Sequence, residues 1–160
     1  MSVAYRPIGI IHSPFHGIEG VPIQPAAASG IRGTVEVFPD CAAGLQDLAG
    51  FSHIILLYHF HLVAEPRLVV VPFLDREPRG VFATRAPTRP NPIGMSVVRL
   101  LSVEANVLEG ENVDIVEGTP LLDIKPYVPE FDHFVVERTG WLVAAQDEVR
   151  RKRSDARFGS

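Results

Sequence analysis

The chain has 160 residues, of which 46% are hydrophobic and 21% are charged, a composition typical of one globular domain. Its formal net charge is −4, whereas nucleic-acid-binding domains are usually basic, so any contact with RNA must use a local patch. The single cysteine, Cys41, excludes an internal disulfide, and no signal-peptide pattern or membrane-length apolar run is present. These features predict a soluble cytoplasmic protein.

Short strand patterns dominate the sequence. Segments 8–11, 33–38, 54–62, 69–71, 95–103 and 113–116 are predicted strands. The last is expected to pair with the segment around Val107 through a turn at Glu109 and Gly110. Because prolines and glycines are frequent, helices are predicted only at 40–48 and 141–151.

The pattern predicts a mainly β fold, a small β-barrel with few short helices in a single domain. Alternating βαβ units and a Gly-rich strand-to-helix loop are missing, which disfavours a Rossmann fold. We assign residues 1–145 to the domain and 146–160 to a basic C-terminal tail. The tail is either solvated or a contact for RNA; its cluster of positive charges is Arg150, Arg151, Lys152, Arg153 and Arg157.

Segment 85–94 is rich in proline and carries polar side chains. Prolines at positions 87, 90 and 92 fix backbone torsions, so the loop is stiff without regular structure. It carries Arg85, Arg89 and Asn91, and Gly94 follows, where a close backbone approach or a positive φ is expected. The segment is either an exposed turn with solvated arginines or a rigid support for a ligand.

Segment 117–129 is a second proline-stiffened stretch, predicted to be a loop, and it carries Asp123, Lys125 and Tyr127. In extended backbone, Asp123 and Lys125 lie on the same side. They either form a surface ion pair of little energetic value or bind a polar substrate and handle a proton.

Segment 51–61 contains three histidines. If it is a strand, His53, His59 and His61 share one face, and two histidines at this spacing can bind a metal. No carboxylate or cysteine completes a ligand set at typical spacing, so the alternative is that these histidines hydrogen-bond neighbours or a ligand.

The strings Gly-Val-Phe-Ala-Thr-Arg at 80–85, Arg-Pro-Asn-Pro-Ile-Gly-Met-Ser at 89–96, Gly-Thr-Pro at 118–120 and Asp-Ile-Lys-Pro-Tyr at 123–127 are specific. Together they resemble the TsaA-like (YaeB-like, TrmO) family of S-adenosylmethionine-dependent methyltransferases, whose members include enzymes acting on N6-threonylcarbamoyladenosine beside the anticodon of tRNA. The match follows the family order from residue 7 to 129. The resemblance implies a small β-barrel that binds S-adenosylmethionine and works as a homodimer, with the site near the subunit interface.

The resemblance also implies roles for particular residues, and no metal. Candidate catalytic residues are Asp123, Lys125 and Tyr127, and Arg89 and Asn91 are candidate substrate contacts. Backbone carbonyls or a carboxylate near the cationic sulfonium would be favourable, and such groups are expected first around 117–119. The family often has Arg at the position of Ile23 and Asp at that of Glu117. The implied cofactor contacts are Pro22, Ile23, Gln24, His61, Leu62, Arg85, Met95, Ser96, Glu117, Gly118 and Thr119.

Three functions remain open at this point. The first is a methyltransferase acting on tRNA or on another acceptor. The acceptor stays open because the bacterial members that act on tRNA carry a further C-terminal domain. The second is a module that binds S-adenosylmethionine without catalysis. The third is a metal-dependent enzyme built on His53, His59 and His61.

Overall fold

The computed structural model describes residues 1–22, 28–144 and 156–159. Six strands form a closed barrel in the order β1-β2-β7-β6-β3-β8, and β4 and β5 form a separate two-stranded sheet. This architecture confirms the predicted mainly β barrel. In chain order the strands are β1 (Gly9–His12), β2 (Arg32–Val37), β3 (His53–His59), β4 (Val69–Val70), β5 (Arg79–Gly80), β6 (Ile93–Glu104), β7 (Val107–Glu111) and β8 (Thr119–Pro126).

The barrel interior is filled by alternate side chains of the strands. In β3, Ile54, Leu56 and Tyr58 are buried while the residues between them are half-buried. In β6, Ser96 and Val98 are likewise buried, and both neighbours of each are less so. Each aliphatic side chain removed from water in this way contributes about 1.5–3 kcal/mol. The alternation is the period of two that the sequence shows.

The strand predicted at 113–116 is wrong. The chain instead turns at Ala105 and Asn106, where Ala105 has a positive φ of 53° and the Asn106 side-chain amide donates to the Val37 carbonyl at 2.7 Å. Strand β7 therefore runs straight through the expected turn at 109–110 and pairs with both β6 and β2. Residues 113–116 form an irregular segment between β7 and β8.

The predicted loop at 117–129 is also wrong in its central part, because residues 119–126 form β8 between β1 and β3. Pro120 and Pro126 lie at the second and last positions of this strand, where a missing N–H removes little of the hydrogen-bond ladder. Asp123 and Lys125 do lie on one side of the extended backbone, as predicted, and their side chains are paired at 2.8 Å.

The helices of the described residues are short. The predicted helix at 40–48 is replaced by two 3-10 helices, Pro39–Leu45 and Leu48–Gly50, because Asp47 between them takes a left-handed conformation with φ of 67°. The helix predicted at 141–151 begins as the 3-10 helix Gly140–Ala144, and the rest lies outside the described residues. No described helix is long and apolar enough to cross a membrane. The remaining short helices are α1 (Pro129–Asp132) and the 3-10 helices Val81–Ala83 and Ala156–Phe158.

A second apolar cluster joins the end of the chain to the barrel's flank. Phe158 is buried against Phe73, with ring centroids 5.2 Å apart, and its carbonyl accepts from the Ala64 N–H at 2.8 Å. Arg157 stacks on the Phe73 ring at 4.9 Å and donates to the carbonyls of residues 71 and 72. This part of the predicted basic tail therefore packs on the domain, and residues 150–153 lie outside the described residues.

Candidate functional site

A cavity of about 800 Å³ lies where the proline-rich segment 85–94 meets the irregular segment 113–116 and the start of β8. Its size is in the range of sites for small ligands and cofactors. Most of its wall is apolar or aromatic, with contributions from Phe60, Phe82, Trp141 and Phe158. Three of the four strings that carry the family resemblance, at 80–85, 89–96 and 118–120, therefore contribute to one cavity, whereas the fourth, at 123–127, does not line it.

The proline-rich segment is held rigid by its own side chains. Arg89 donates through Nη1 to the carbonyls of Thr84 and Ala86, each at 3.0 Å. The Thr84 hydroxyl donates to the Val81 carbonyl at 2.8 Å and accepts from the Ala86 N–H at 3.1 Å. Arg89 therefore braces the cavity wall as well as lining it.

A chain of three hydrogen-bonded polar side chains adjoins the cavity; Tyr58 and Ser96 are buried and Asp114 is half-buried. The Ser96 hydroxyl donates to Asp114 Oδ1 at 2.6 Å and lies 2.9 Å from the Tyr58 hydroxyl, which is then the donor of that second bond. Burial raises the pKa of Asp114 to about 6 and also raises the pKa of Tyr58. Tyr58 and Asp114 line the cavity, whereas Ser96 lies behind them. The nearby Arg85 guanidinium opposes the rise in both pKa values.

The Glu117 carboxylate is bound by the end of β1, more than 100 residues earlier in the chain. Its Oε1 pairs with His12 Nδ1 and its Oε2 accepts from the Ser13 N–H, both at 2.7 Å. The hydrogen bond between the two side chains raises the pKa of His12 and lowers that of Glu117. Glu36 adds to this pair at 3.5 Å from His12. Next to Glu117, Gly118 has a φ of +77°, a conformation that favours glycine.

The three histidines of segment 51–61 do not come together at one place. His53 and His59 lie at the two ends of β3, while His61 lies beyond the strand and lines the cavity. His61 Nδ1 is 3.4 Å from the Thr119 hydroxyl, and burial, with a smaller effect of His59, lowers the pKa of His61. Among the described residues no group of three or more His, Cys, Asp or Glu side chains could hold a metal ion.

The predicted catalytic residues lie on the outer face of the barrel, on β8 and just after it. In register, Leu57 of β3 is flanked by Asp123 of β8 and Met95 of β6, and the next row places Ile55 beside Lys125. Asp123 also accepts from the Ile124 N–H at 2.9 Å, and its hydrogen bond raises the pKa of Lys125.

The structure brings about half of the sequence-predicted residues to the cavity. Ile23 and Gln24 lie outside the described residues. Those that do not line the cavity are Asn91, Ser96, Glu117, Gly118, Asp123, Lys125 and Tyr127. Those that line it are Pro22, His61, Leu62, Arg85, Arg89, Met95 and Thr119.

Sequence reasoning missed Asp114 and the aromatic wall of the cavity. A signal for Asp114 is present, because it is the only charged residue in the run Val-Asp-Ile-Val at 113–116, which is otherwise apolar. A lone carboxylate in such a run is a candidate for a functional site. Trp141 and Phe158 come from distant parts of the chain and carry no comparable signal.

Comparison with known proteins identifies a family for this chain. The model of the tRNA-methyltransferase O N-terminal domain matches residues 10–133. A Pyrococcus abyssi protein named "Probable S-adenosyl-L-methionine-binding protein" is 56% identical over 160 residues, which is 100% of this chain and 87% of that protein.

Two further matches are longer than this chain. A human tRNA (adenine(37)-N6)-methyltransferase is 36% identical over 79% of this chain and 30% of its own length. The crystal structure of TrmO from Pseudomonas aeruginosa has a TM-score of 0.73 and 42% identity, over 88% of this chain and 63% of that one. The chain belongs to the tRNA-methyltransferase O N-terminal domain family.

Proposed function

We propose that this protein binds S-adenosylmethionine in the cavity and transfers its methyl group to N6 of threonylcarbamoyladenosine beside the anticodon of tRNA, in the cytoplasm. The observation that carries the proposal is the cavity of about 800 Å³, which is lined by residues of three of the four strings that carry the family resemblance. Support for the donor and acceptor comes from the names of the Pyrococcus abyssi and human relatives.

The residues of the cavity fit this cofactor. S-Adenosylmethionine supplies a methyl group on a sulfonium sulfur, and it combines a flat aromatic base with a polar, charged amino-acid end. Phe60 and Phe82 offer aromatic surface, and His61, Arg85 and Asp114 offer polar contacts. We assign cofactor contacts to Pro22, Ile23, Gln24, His61, Leu62, Arg85, Met95 and Thr119, and support of the cavity wall to Ser96, Glu117 and Gly118.

Positioning is the main task of the protein in such a transfer, since aligned reacting atoms supply about 7–11 kcal/mol at best. The Arg89 bonds to the loop carbonyls keep the wall rigid, which suits this task. In our proposal Asp123 accepts a hydrogen bond or proton from the N6 group, and Lys125 binds a carboxylate or phosphate of the acceptor. Tyr127 follows them at the end of β8, and Arg89 and Asn91 contact the acceptor.

A homodimer would bring these residues to the cavity. Met95 and Ile93 line the cavity and are also 46% and 41% exposed on the outer face of β6. The same face continues through Leu57 to Asp123. An apolar face that joins the cavity rim to the candidate catalytic residues suits a subunit contact, across which Asp123 and Lys125 of one protomer would serve the cavity of its partner.

The test is a methyl-transfer assay with labelled S-adenosylmethionine and bulk tRNA. We expect label to enter tRNA from a wild-type strain and not tRNA from a strain that lacks threonylcarbamoylation. Asp123→Asn should reduce the rate at least tenfold, whereas Glu104→Gln, which removes a carboxylate at the far end of β6, should leave it unchanged. Equal labelling of both tRNA preparations would contradict the proposed acceptor.

A second candidate is a module that binds S-adenosylmethionine without catalysis. It is favoured by the name of the Pyrococcus abyssi relative, which matches the whole of this chain and mentions binding only. Calorimetric binding of S-adenosylmethionine, without S-adenosylhomocysteine formed in the presence of tRNA, would support this function over the first.

A further inference from the structure

We propose that Asp114 gives the cavity its preference for the cationic cofactor over its neutral product, so that S-adenosylmethionine binds more tightly than S-adenosylhomocysteine. The inference rests on the proposed function, and it concerns a residue that the family strings did not mark. S-Adenosylmethionine carries one more positive charge than S-adenosylhomocysteine, and the two molecules share the base, the ribose and the amino-acid end.

The first argument is placement. Asp114 lines the cavity from the irregular segment before β8, between the buried side chains of Val113 and Ile115. Val116 and Ile115 line the same part of the wall. A charge in apolar surroundings acts on a nearby ligand charge with less screening than a charge in water. Among the carboxylates of the described residues, only that of Asp114 lines this cavity.

The second argument is the comparison with Glu117, where sequence reasoning expected the carboxylate. Both oxygens of Glu117 are engaged, one by His12 and one by the Ser13 N–H. This pairing compensates the charge of Glu117 and lowers its pKa. The charge of Asp114 is less compensated, since its pKa is raised to about 6 in spite of the Ser96 hydrogen bond and the field of Arg85.

The third argument is rigidity. The Tyr58 hydroxyl bonds to Ser96, whose own hydroxyl donates to Asp114 Oδ1 at 2.6 Å, and Ser96 is 1% exposed. Because β3 and β6 pair directly at Leu56 and Ser96, this chain of hydrogen bonds is anchored on the barrel wall. The carboxylate is therefore held in one orientation, which a selective site requires. Ser96 is a positioning residue in this scheme and does not contact the ligand.

The consequence for the reaction follows from charge. The donor enters as a cation, and the transfer of its methyl group leaves a neutral thioether. The attraction of Asp114 for the ligand is therefore lost when the product forms, which favours exchange of product for new donor.

The experiment is calorimetric titration of the full chain with S-adenosylmethionine and with S-adenosylhomocysteine at pH 7.5, and the readout is the ratio of the two dissociation constants. We expect wild type to favour S-adenosylmethionine and Asp114→Asn to reduce that preference by about tenfold or more, since a charge pair at short range is worth at least that factor. Asp114→Asn keeps the size of the side chain, and Asp114→Ser makes the same change of charge if the first variant does not fold.

Two control variants separate charge from disturbance. Ser96→Ala removes the hydrogen bond that orients the carboxylate but keeps its charge, so part of the preference should remain even if both affinities fall. Glu109→Gln removes a carboxylate that pairs with Arg32 at 3.0 Å. Neither residue lines the cavity, so this substitution should change neither dissociation constant.

The inference is overturned if Asp114→Asn weakens both ligands equally, if it changes neither, or if Ser96→Ala abolishes the preference as fully. A wild-type protein that binds neither ligand would instead overturn the proposed function, so the two failures are distinguishable.

Discussion

A carboxylate that is largely desolvated is costly for a small protein. Burial raises the pKa of Asp114 from 3.8 to about 6, so the fold favours the neutral side chain. For an acid whose pKa is raised by folding, stability is greatest below the unfolded pKa and falls as pH rises toward the folded one. At about 1.4 kcal/mol per pKa unit, the ionised Asp114 costs the fold about 3 kcal/mol above pH 6.

We therefore predict that Asp114→Asn changes stability in a pH-dependent way. The free energy of unfolding of the variant minus that of wild type should rise by about 2–3 kcal/mol from pH 4 to pH 8, because the neutral amide avoids the cost of ionisation. Urea titration without ligand at the two pH values measures this change. Glu104→Gln, which removes an exposed carboxylate, serves as the control. An unchanged difference between the two pH values would show that Asp114 is not desolvated.

The ion pair of His12 and Glu117 gives the opposite kind of pH dependence. The raised pKa of His12 contributes stability that is present below 6.5 and is lost as pH rises through the folded value. The lowered pKa of Glu117 contributes stability that is present above 4.5 and is lost as pH falls through its folded value. The pair is thus most stabilising between pH 4.5 and 6.5.

Glu117→Gln tests this window. The loss of unfolding free energy should be largest between pH 4.5 and 6.5. It should diminish as pH rises through the folded pKa of His12 or falls through that of Glu117, because one partner of the pair then becomes neutral in wild type. Thermal melts across the range measure it, with Glu104→Gln as control. A loss that does not vary with pH would mean that the hydrogen bond to Ser13 outweighs the ion pair.

At the scale of the strands, Gly94 sets the distance between β6 and the Tyr58 ring. A Cβ on Gly94 would overlap that ring and approach Phe60 Cζ to 2.8 Å. The sequence predicted either a close backbone approach or a positive φ at Gly94. The structure shows a close approach, but to the Tyr58 side chain rather than to backbone. Substitution here must move Tyr58, which also holds Ser96.

We expect Gly94→Ala to lower the free energy of unfolding by about 1–3 kcal/mol, the usual cost of overpacking, and to weaken cofactor binding. Gly110→Ala in β7 is the matched strand control, because its nearest Cβ contact would be an ordinary 3.5 Å. Denaturant titration and calorimetry measure the two effects. Equal stability of both variants would mean that the barrel adapts around Tyr58.

The elements that sequence could predict are those with a local signal. The period of two in β3 and β6 marks their buried faces, and the strings at 80–96 mark the wall of the cavity. The turn at Ala105 and Asn106 was missed because Glu109-Gly110 is the stronger turn pattern. Tertiary pairing overrode it, since β7 must fill the gap between β2 and β6.

The candidate site was harder to predict, because its parts come from distant positions in the chain. Spacing predicted that Asp123 and Lys125 share a side, and the structure confirms this. Spacing could not show that the two lie on the outer face, away from the cavity, because a one-residue irregularity between Leu57 and Tyr58 alters the register of β8 against β3. The partners of Asp114 and Glu117 are likewise 18 and more than 100 residues away.

For the whole molecule, the proposed subunit contact predicts a specific dependence on Leu57. Leu57→Glu places a charge in the apolar row between Met95 and Asp123, and it should convert a dimer to a monomer in light scattering coupled to gel filtration. Val107→Glu, an equally apolar position that is 38% exposed on β7, should not. If both variants remain dimers, the subunit contact lies elsewhere.

Mixing of variants extends this test to activity. If Asp123 serves the partner's cavity, then Asp123→Asn and Arg85→Ala proteins, each inactive alone, should regain part of the methyl transfer when mixed and allowed to exchange subunits. The heterodimer then contains one intact pair of cavity and Asp123. Mixtures that stay inactive, with exchange confirmed, would place Asp123 and the cavity of the same protomer in one site.

The position of Phe158 in the cavity wall has a practical consequence for handling the protein. Val63 bridges to Gly159, so residues 156–159 reach the rim of the cavity. A purification tag fused after residue 160 would emerge beside that rim and could compete with ligand. Residues 1–7 are exposed and none of them lines the cavity, so the tag is better placed at that end for titration and crystallisation.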